Sequence, residues 1–188
     1  MNMIVVSSCL TTWRIMTSAG FKYESDMQRD VSVNEKLPAP DYALILALER
    51  ARKSFEMNPH DIVVGTSAVL TINGKKIAPP GTEAQAAELL ERLSGGLHKI
   101  YSSIAILSEG RQTNFFEDSK VRMRKFSHEV IRRYVATGEV FSSATGYSLL
   151  GKGASLVESV TGDWYAAAGV PLLGLAKRLD NIYGIVPF

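Results

Sequence analysis

The chain has 188 residues, 46% hydrophobic and 21% charged, with a mean hydropathy near zero, the composition of one folded domain, or one domain in two lobes, rather than of a disordered or membrane-embedded chain. A formal net charge of +2 creates no large cationic field, so neither bulk nucleic-acid binding nor attachment to an acidic membrane is expected. Cys9 is the one cysteine, which excludes an internal disulfide, and no stretch approaches the roughly 18 apolar residues that span a bilayer; both fit a protein of the reducing cytoplasm.

Met3-Ile4-Val5-Val6 is too short, and lacks the preceding basic residues, for a signal peptide, and reads as a first strand. Trp13 to Ala19 follows as a short helix, and Phe21 to Tyr23 begins a second extended piece. Lys36-Leu37-Pro38-Ala39-Pro40 is expected to be a loop, because each proline lacks an amide donor and restricts its predecessor. From Asp41 onward, Leu44, Ala47, Leu48, Ala51 and Phe55 recur at the helical period. Ile62 to Val64 and Val69 to Ile72 read as two strands, the second entering an Asn73-Gly74 turn, a dipeptide suited to positive φ. Thr82-Glu83-Ala84-Gln85 has capping-box spacing and opens a helix through Leu89, Leu90 and Leu93 that Ser94-Gly95-Gly96 stops.

Ile100 to Leu107 and Phe115 to Met123 read as long strands around Ser108-Glu109-Gly110. Ser127 caps a helix carrying Val130, Ile131, Tyr134 and Val135, ended by Gly138. Leu156 to Val160 reads as a strand, and Pro171 takes the N1 position of a last helix with Leu172, Leu175, Ala176 and Leu179. Strand patterns alternating with helix patterns predict an α/β domain in which helices cover a sheet.

Five landmarks in order resemble the Maf family and cover nearly the whole chain. They are Leu93-Ser94-Gly95 with His98; Tyr134-x-x-Thr137-Gly138-Glu139; Ala144 with Tyr147 and Gly151-x-Gly153-Ala154; Gly162-Asp163-Trp164-Tyr165; and Gly169-Val170-Pro171-Leu172. The resemblance implies an α/β fold of the inosine-triphosphatase kind, a twisted mixed sheet flanked by helices in two lobes with a central nucleotide cleft. It also implies hydrolysis of nucleoside triphosphates, often dTTP, UTP or modified nucleotides, to the monophosphate and pyrophosphate, with Mg²⁺ or Mn²⁺ if the chain is active.

Such chemistry needs cations on the triphosphate, carboxylates for metal and water, and donors for the base. Where the family has Ser-x-Ser-Pro-Arg-Arg after the first strand, this chain has Ser7-Ser8-Cys9-Leu10-Thr11-Thr12. Ser67, in Gly65-Thr66-Ser67-Ala68, takes the place of the family's catalytic Asp. Pro79 stands for a family Lys, Gly96 for an Arg, Leu150 for a Gln and Ala166 for an Asn. Glu35 and Arg50 remain, the latter where the family usually has Lys. Four cations are thus missing, at Thr11, Thr12, Pro79 and Gly96; at roughly 1.5–3 kcal/mol for each charge-assisted hydrogen bond the deficit is on the order of 6–12 kcal/mol, and loss of a general base costs about 10²–10⁴ in rate.

Other signals read as structural. Gly146-x-x-x-x-Gly151-Lys152 approaches a P-loop but continues with Gly153 instead of Ser or Thr. His60, His98 and His128 are too dispersed for zinc, and His98 reads as a structural residue at a strand entrance. Cys9 reads as a small residue in place of Ser rather than a reactive thiol, and Trp13 as core packing. In Val121-Arg122-Met123-Arg124 the cations alternate with apolar residues as on a solvated strand face, so these and Lys125, Arg132 and Arg133 are not assigned to nucleic acid.

Three functions are carried forward. The first is a catalytically silent homologue binding a small nucleotide-like ligand or a partner protein, with a cleft of Ser7, Cys9, Thr11, Thr12, Ser67, Ala68, Pro79, Gly96, Leu150 and Asp163. The second is an altered pyrophosphatase in which Glu35 and Arg50 work with repositioned Asp163 or Glu83. The third is a structural homodimer in which Leu10, Pro79 and Leu150 close the cleft.

Overall fold

The computed structural model describes residues 1–28 and 31–188. Seven strands form one mixed sheet: β1 (Met3–Ser7), β2 (Glu24–Met27), β3 (Ile62–Ile72), β4 (Lys75–Ile77), β5 (Leu97–Ser108), β6 (Arg111–Met123) and β7 (Val157–Gly162). Their order is β2-β1-β3-β5-β6-β7, with β4 hydrogen-bonded to β3. The pairs β1–β2 and β1–β3 are parallel and the remainder antiparallel. The helices are α1 (Leu10–Ser18), α2 (Ala39–Phe55), α3 (Glu83–Leu93), α4 (His128–Val135), α5 (Trp164–Ala167) and α6 (Leu172–Tyr183). Among the described residues none is long and apolar enough to cross a membrane.

Alternation along the strands sorts the two faces. Met3, Val5, Ile62, Val64, Leu70, Ile100, Ile104 and Ile106 enter the large core with α1, α3, α4, α5 and α6. Ile4, Val6, Val63, Ala105 and Leu107 turn the other way, onto Ala47, Leu48 and Ala51 of α2. Near its N-terminus, α2 lays Ala39, Tyr42 and Ala43 on Val69 and Tyr101. A side chain at Gly65 would collide with the Ala47 carbonyl oxygen and come within 2.8 Å of the Ala51 methyl, so glycine is what lets α2 lie this close to β3.

Some local readings change, among them the bounds of α1, which starts at Leu10, and of β2, which starts at Glu24. The loop expected at 36–40 ends earlier, because α2 starts at Ala39 with Pro38 as its N-cap and Pro40 in its first turn; the amide a proline lacks there has no helical partner in any case. The two strands expected between Ile62 and Ile72 are one, since the pairing with β5 runs unbroken from Val63 to Thr71 and overrides the weak β preference of Gly65, Ser67 and Ala68. Pro171 is the N-cap of α6, one residue before N1. The Asn73-Gly74 turn forms with φ of 50° and 76°. Thr82 and Ser127 cap α3 and α4 through their hydroxyls.

Candidate functional site

β1 pairs with β3 only as far as Gly65, and β4 takes up the same side of β3 only from Leu70. Thr66 to Val69 therefore face a notch, at the C-terminal end of β1 where the sheet changes from parallel to antiparallel. The strand order also reverses at β1, with β2 on one side and β3 on the other, and the crevice outside the carboxyl end of a strand at such a reversal is where open α/β sheets place their ligands. The notch opens into a cavity of about 310 Å³, at the small end of ligand sites. Ser8 follows β1; Tyr42, Leu46 and Arg50 project from α2; Ala68 and Val69 form the floor; Lys76, Ile77, Ala78 and Pro79 come from β4 and its exit; Val31, Glu35 and Ala144 complete the wall.

Its charged groups are tied to the scaffold. Arg50, 8% exposed, donates from one terminal nitrogen to the Thr66 carbonyl at 2.8 Å and from the other to Ser8 Oγ at 2.8 Å. Among the described residues its Nε has no partner, and burial lowers the guanidinium pKa, against the opposing influence of Cys9 and Tyr42. Lys76 Nζ donates to the carbonyls of Glu35 at 2.8 Å and Leu37 at 3.0 Å, lies 4.0 Å from the centre of the Tyr42 ring and is 3.8 Å from Glu35 Oε2. The Tyr42 hydroxyl donates to Glu35 Oε1 at 2.9 Å. Its pKa is raised, first by burial and then by this carboxylate.

Glu35, Arg50, Ala68 and Pro79 thus meet at the cavity. Ser7 and Thr12 lie behind it, their hydroxyls 2.8 Å apart, with Thr12 reaching Thr66 Oγ1 at 3.4 Å and Cys9 Sγ at 3.7 Å. The Thr11 hydroxyl donates to the Ser142 carbonyl at 3.0 Å and ties α1 to the loop after α4. Ser67 is on the face of β3 turned to α2, and its hydroxyl donates to the Ala43 carbonyl at 2.7 Å instead of facing a ligand.

Gly96, Leu150 and Asp163 are not brought to the cavity. Gly96 joins α3 to β5, its amide bonded to the Leu93 carbonyl. Leu150 lines a separate groove with Leu10, Trp13 and Tyr165. Asp163 caps α5 by accepting from Ala166 N at 2.6 Å, and Glu83 opens α3, so neither has moved in as a spare carboxylate. Nor do Leu10, Pro79 and Leu150 close the cleft, because they lie in two different places. The residues that the sequence reading missed are Ser8, Tyr42 and Lys76. Lys76 was legible in principle, since the Asn73-Gly74 turn sets it opposite Thr71.

A divalent metal, implied by the family resemblance, meets a poor donor set. Mg²⁺ is usually held by one or two carboxylates together with substrate phosphates. Among the described residues the cavity offers Glu35 alone, already engaged by Tyr42 and Lys76. Also among the described residues, no three His, Cys, Asp or Glu side chains gather at metal-binding distance.

Residues 8–182 match the family model for Maf, described as Maf-like protein. The chain belongs to the Maf family. This Maf chain is 29% identical over 188 residues to a dTTP/UTP pyrophosphatase of Bacillus pumilus, covering 100% of this chain and 99% of that protein. It is 33% identical over 141 residues to a dTTP/UTP pyrophosphatase of Bacillus cereus, covering 75% and 74% respectively. The solved Ham1 protein of Staphylococcus aureus aligns with 65% of this chain and 72% of its own, at a TM-score of 0.42 and 14% identity. Across the Maf landmarks, the Glu139 carboxylate accepts from the Tyr134 hydroxyl at 2.9 Å and from the amides of Lys152 at 3.0 Å and Gly153 at 2.8 Å. That clamp fixes the loop carrying Ala144 over the cavity.

Proposed function

We propose that this chain is a Maf-family protein that has kept the ligand cleft but no longer hydrolyses nucleoside triphosphates at an appreciable rate, and that it binds a small nucleotide-like ligand carrying one anionic group. The observation that carries this reading is the pairing state of the charges. The residue at the catalytic Asp position, Ser67, is bonded to the Ala43 carbonyl. Glu35 is held by Tyr42 and lies beside Lys76. Lys76 returns one of the four missing cations, but two of its three N–H donors go to backbone carbonyls.

Arg50 sets the ligand's chemistry. It is buried, and its partners among the described residues are a carbonyl and a hydroxyl, both neutral. A buried cation without a counter-ion is costly, so a ligand bringing one negative group past Ser8 is favoured. The aliphatic walls of Leu46, Val69, Ile77 and Pro79 suit the apolar body of that ligand.

The test is a panel of nucleoside triphosphates, monophosphates and nucleosides with Mg²⁺ or Mn²⁺, read by pyrophosphate release and by thermal shift. The expected result is a shift with a monophosphate or similar monoanion, abolished in Arg50→Met, and no metal-dependent pyrophosphate release above that of Glu35→Ala. Convergence of Glu35, Arg50 and Lys76 on one cavity favours the second reading, an altered dTTP or UTP pyrophosphatase like those its relatives are named for. Release that depends on Glu35 would establish that alternative and overturn the first.

A further inference from the structure

Beyond the cleft, the strand register collects charges that are scattered in sequence. Lys76 is opposite Thr71, Thr71 opposite Lys99, Lys99 opposite Lys120 and Lys120 opposite Thr161, one continuous row on the face of the sheet that also carries α2. Like charges directly opposite one another destabilise a sheet, yet Lys99 and Lys120 stand in this relation. Arg122 extends the patch two residues along β6 from Lys120, on the same face. Asp118 neutralises Lys99 at 2.7 Å. Lys120 and Arg122 are exposed and form no ion pair among the described residues.

Two aromatic rings lie beside this row. Phe116 is 39% exposed on β6, and its ring centre is 6.1 Å from that of Tyr101 on β5. The N-terminal part of α2 packs on Tyr101, while Phe116, Lys120 and Arg122 stay open to solvent. Cations that track a backbone beside rings on which bases stack are the two components of single-strand recognition.

We infer that the open β5–β6 face binds single-stranded nucleic acid without sequence preference, phosphates on Lys120 and Arg122 and a base on Phe116. A net charge of +2 makes this a local patch and not a long-range field. None of these three residues lines the cleft cavity, so this inference and the ligand reading fail separately.

The experiment is fluorescence anisotropy with a labelled oligothymidylate of about 12 nucleotides, titrated at about 50 and about 200 mM salt. The intact chain is expected to bind with a dissociation constant of about 1–100 µM at low salt, weakening as salt rises. Lys120→Glu with Arg122→Glu is expected to weaken binding at least tenfold and to flatten the salt dependence by about 1.4, or about 0.7 for each lost phosphate contact. Phe116→Ala is expected to cost about fivefold or more and leave the salt dependence unchanged. Arg132→Glu with Arg133→Glu, on α4 across the sheet, carries the same charge change and is expected to leave binding intact. A mass-spectrometric acetylation footprint on the unaltered chain, with Lys120 protected by the oligonucleotide, gives a readout independent of variant folding. No anisotropy change, equal loss in the α4 variant, an indifferent Phe116→Ala, or equal affinity for duplex would each overturn the inference.

Discussion

His98 provides a pH-dependence whose sign and size follow from its surroundings. It is 3% exposed at the start of β5, with Nε2 at 2.6 Å from the Tyr147 hydroxyl and Nδ1 without a partner among the described residues. Tyr147 stands edge-on to it, with ring centres 5.5 Å apart. Burial pushes the imidazole pKa down from 6.5 to about 4. Between these values the unfolded chain binds a proton that the folded chain refuses, so stability rises with pH through this window and falls as pH drops from 6.5 toward 4. The full gap, at about 1.36 kcal/mol for each pH unit, amounts to about 3.4 kcal/mol; between pH 7 and about pH 4.5 the loss is about 2.4 kcal/mol. Urea unfolding of the natural chain and of His98→Gln at both pH values isolates this contribution, because the carboxylates titrate alike in both. The natural chain should lose about 2.4 kcal/mol more than the variant. Parallel losses in the two proteins would refute the argument that a neutral buried imidazole sets the slope.

Three other substitutions probe the site and its scaffold. Ser67→Asp, which introduces the residue that the Maf resemblance implies there, is expected to cost about 3 kcal/mol or more in urea unfolding and to release no pyrophosphate, because the new carboxylate meets the Ala43 carbonyl in a buried interface. Arg50→Met is expected to change unliganded stability by less than about 1.5 kcal/mol, since replacing a buried charge with an apolar side chain is often neutral, while abolishing the ligand-dependent thermal shift. Gly65→Ala is expected to destabilise by about 3 kcal/mol by lifting α2 from β3; calorimetry should find a lower melting temperature, and the shift with ligand should weaken because Tyr42 and Arg50 move with the helix.

The order of elements was legible because each rests on local chemistry: the apolar run of β1, the period of α2, the Asn73-Gly74 turn, and the hydroxyl caps of Thr82 and Ser127. Departures arose where tertiary pairing outweighed local preference. Residues 65–68 look like a break between strands, but nine consecutive pairs with β5 keep β3 continuous. At the start of α3, Gln85 does not close the expected reciprocal cap on Thr82. Its side-chain oxygen accepts from Gly81 N at 2.8 Å instead, one residue earlier than capping-box spacing implies.

Motif resemblance assigns a residue to a place along a strand, but its face and neighbours are decided by packing. Ser67 and Ala68 are adjacent, yet alternation sends the Ser67 hydroxyl to α2 and leaves Ala68 on the cavity floor. Asp163 and Gly96 keep their places in the chain order but serve a helix cap and a strand entrance. The charge shortage read from the sequence is narrowed by Lys76, which enters from a three-residue strand with no family landmark. Counting charged residues therefore cannot decide between binding and hydrolysis. Arg50 and Lys76 both carry charge at the cavity, but Lys76 donates to two carbonyls and has the Glu35 carboxylate 3.8 Å away, whereas among the described residues Arg50 has only neutral partners and a bare Nε. Of the two cations it is Arg50 whose side-chain partners among the described residues are all neutral, and the proposal of a monoanionic ligand in place of a polyphosphate rests on that difference.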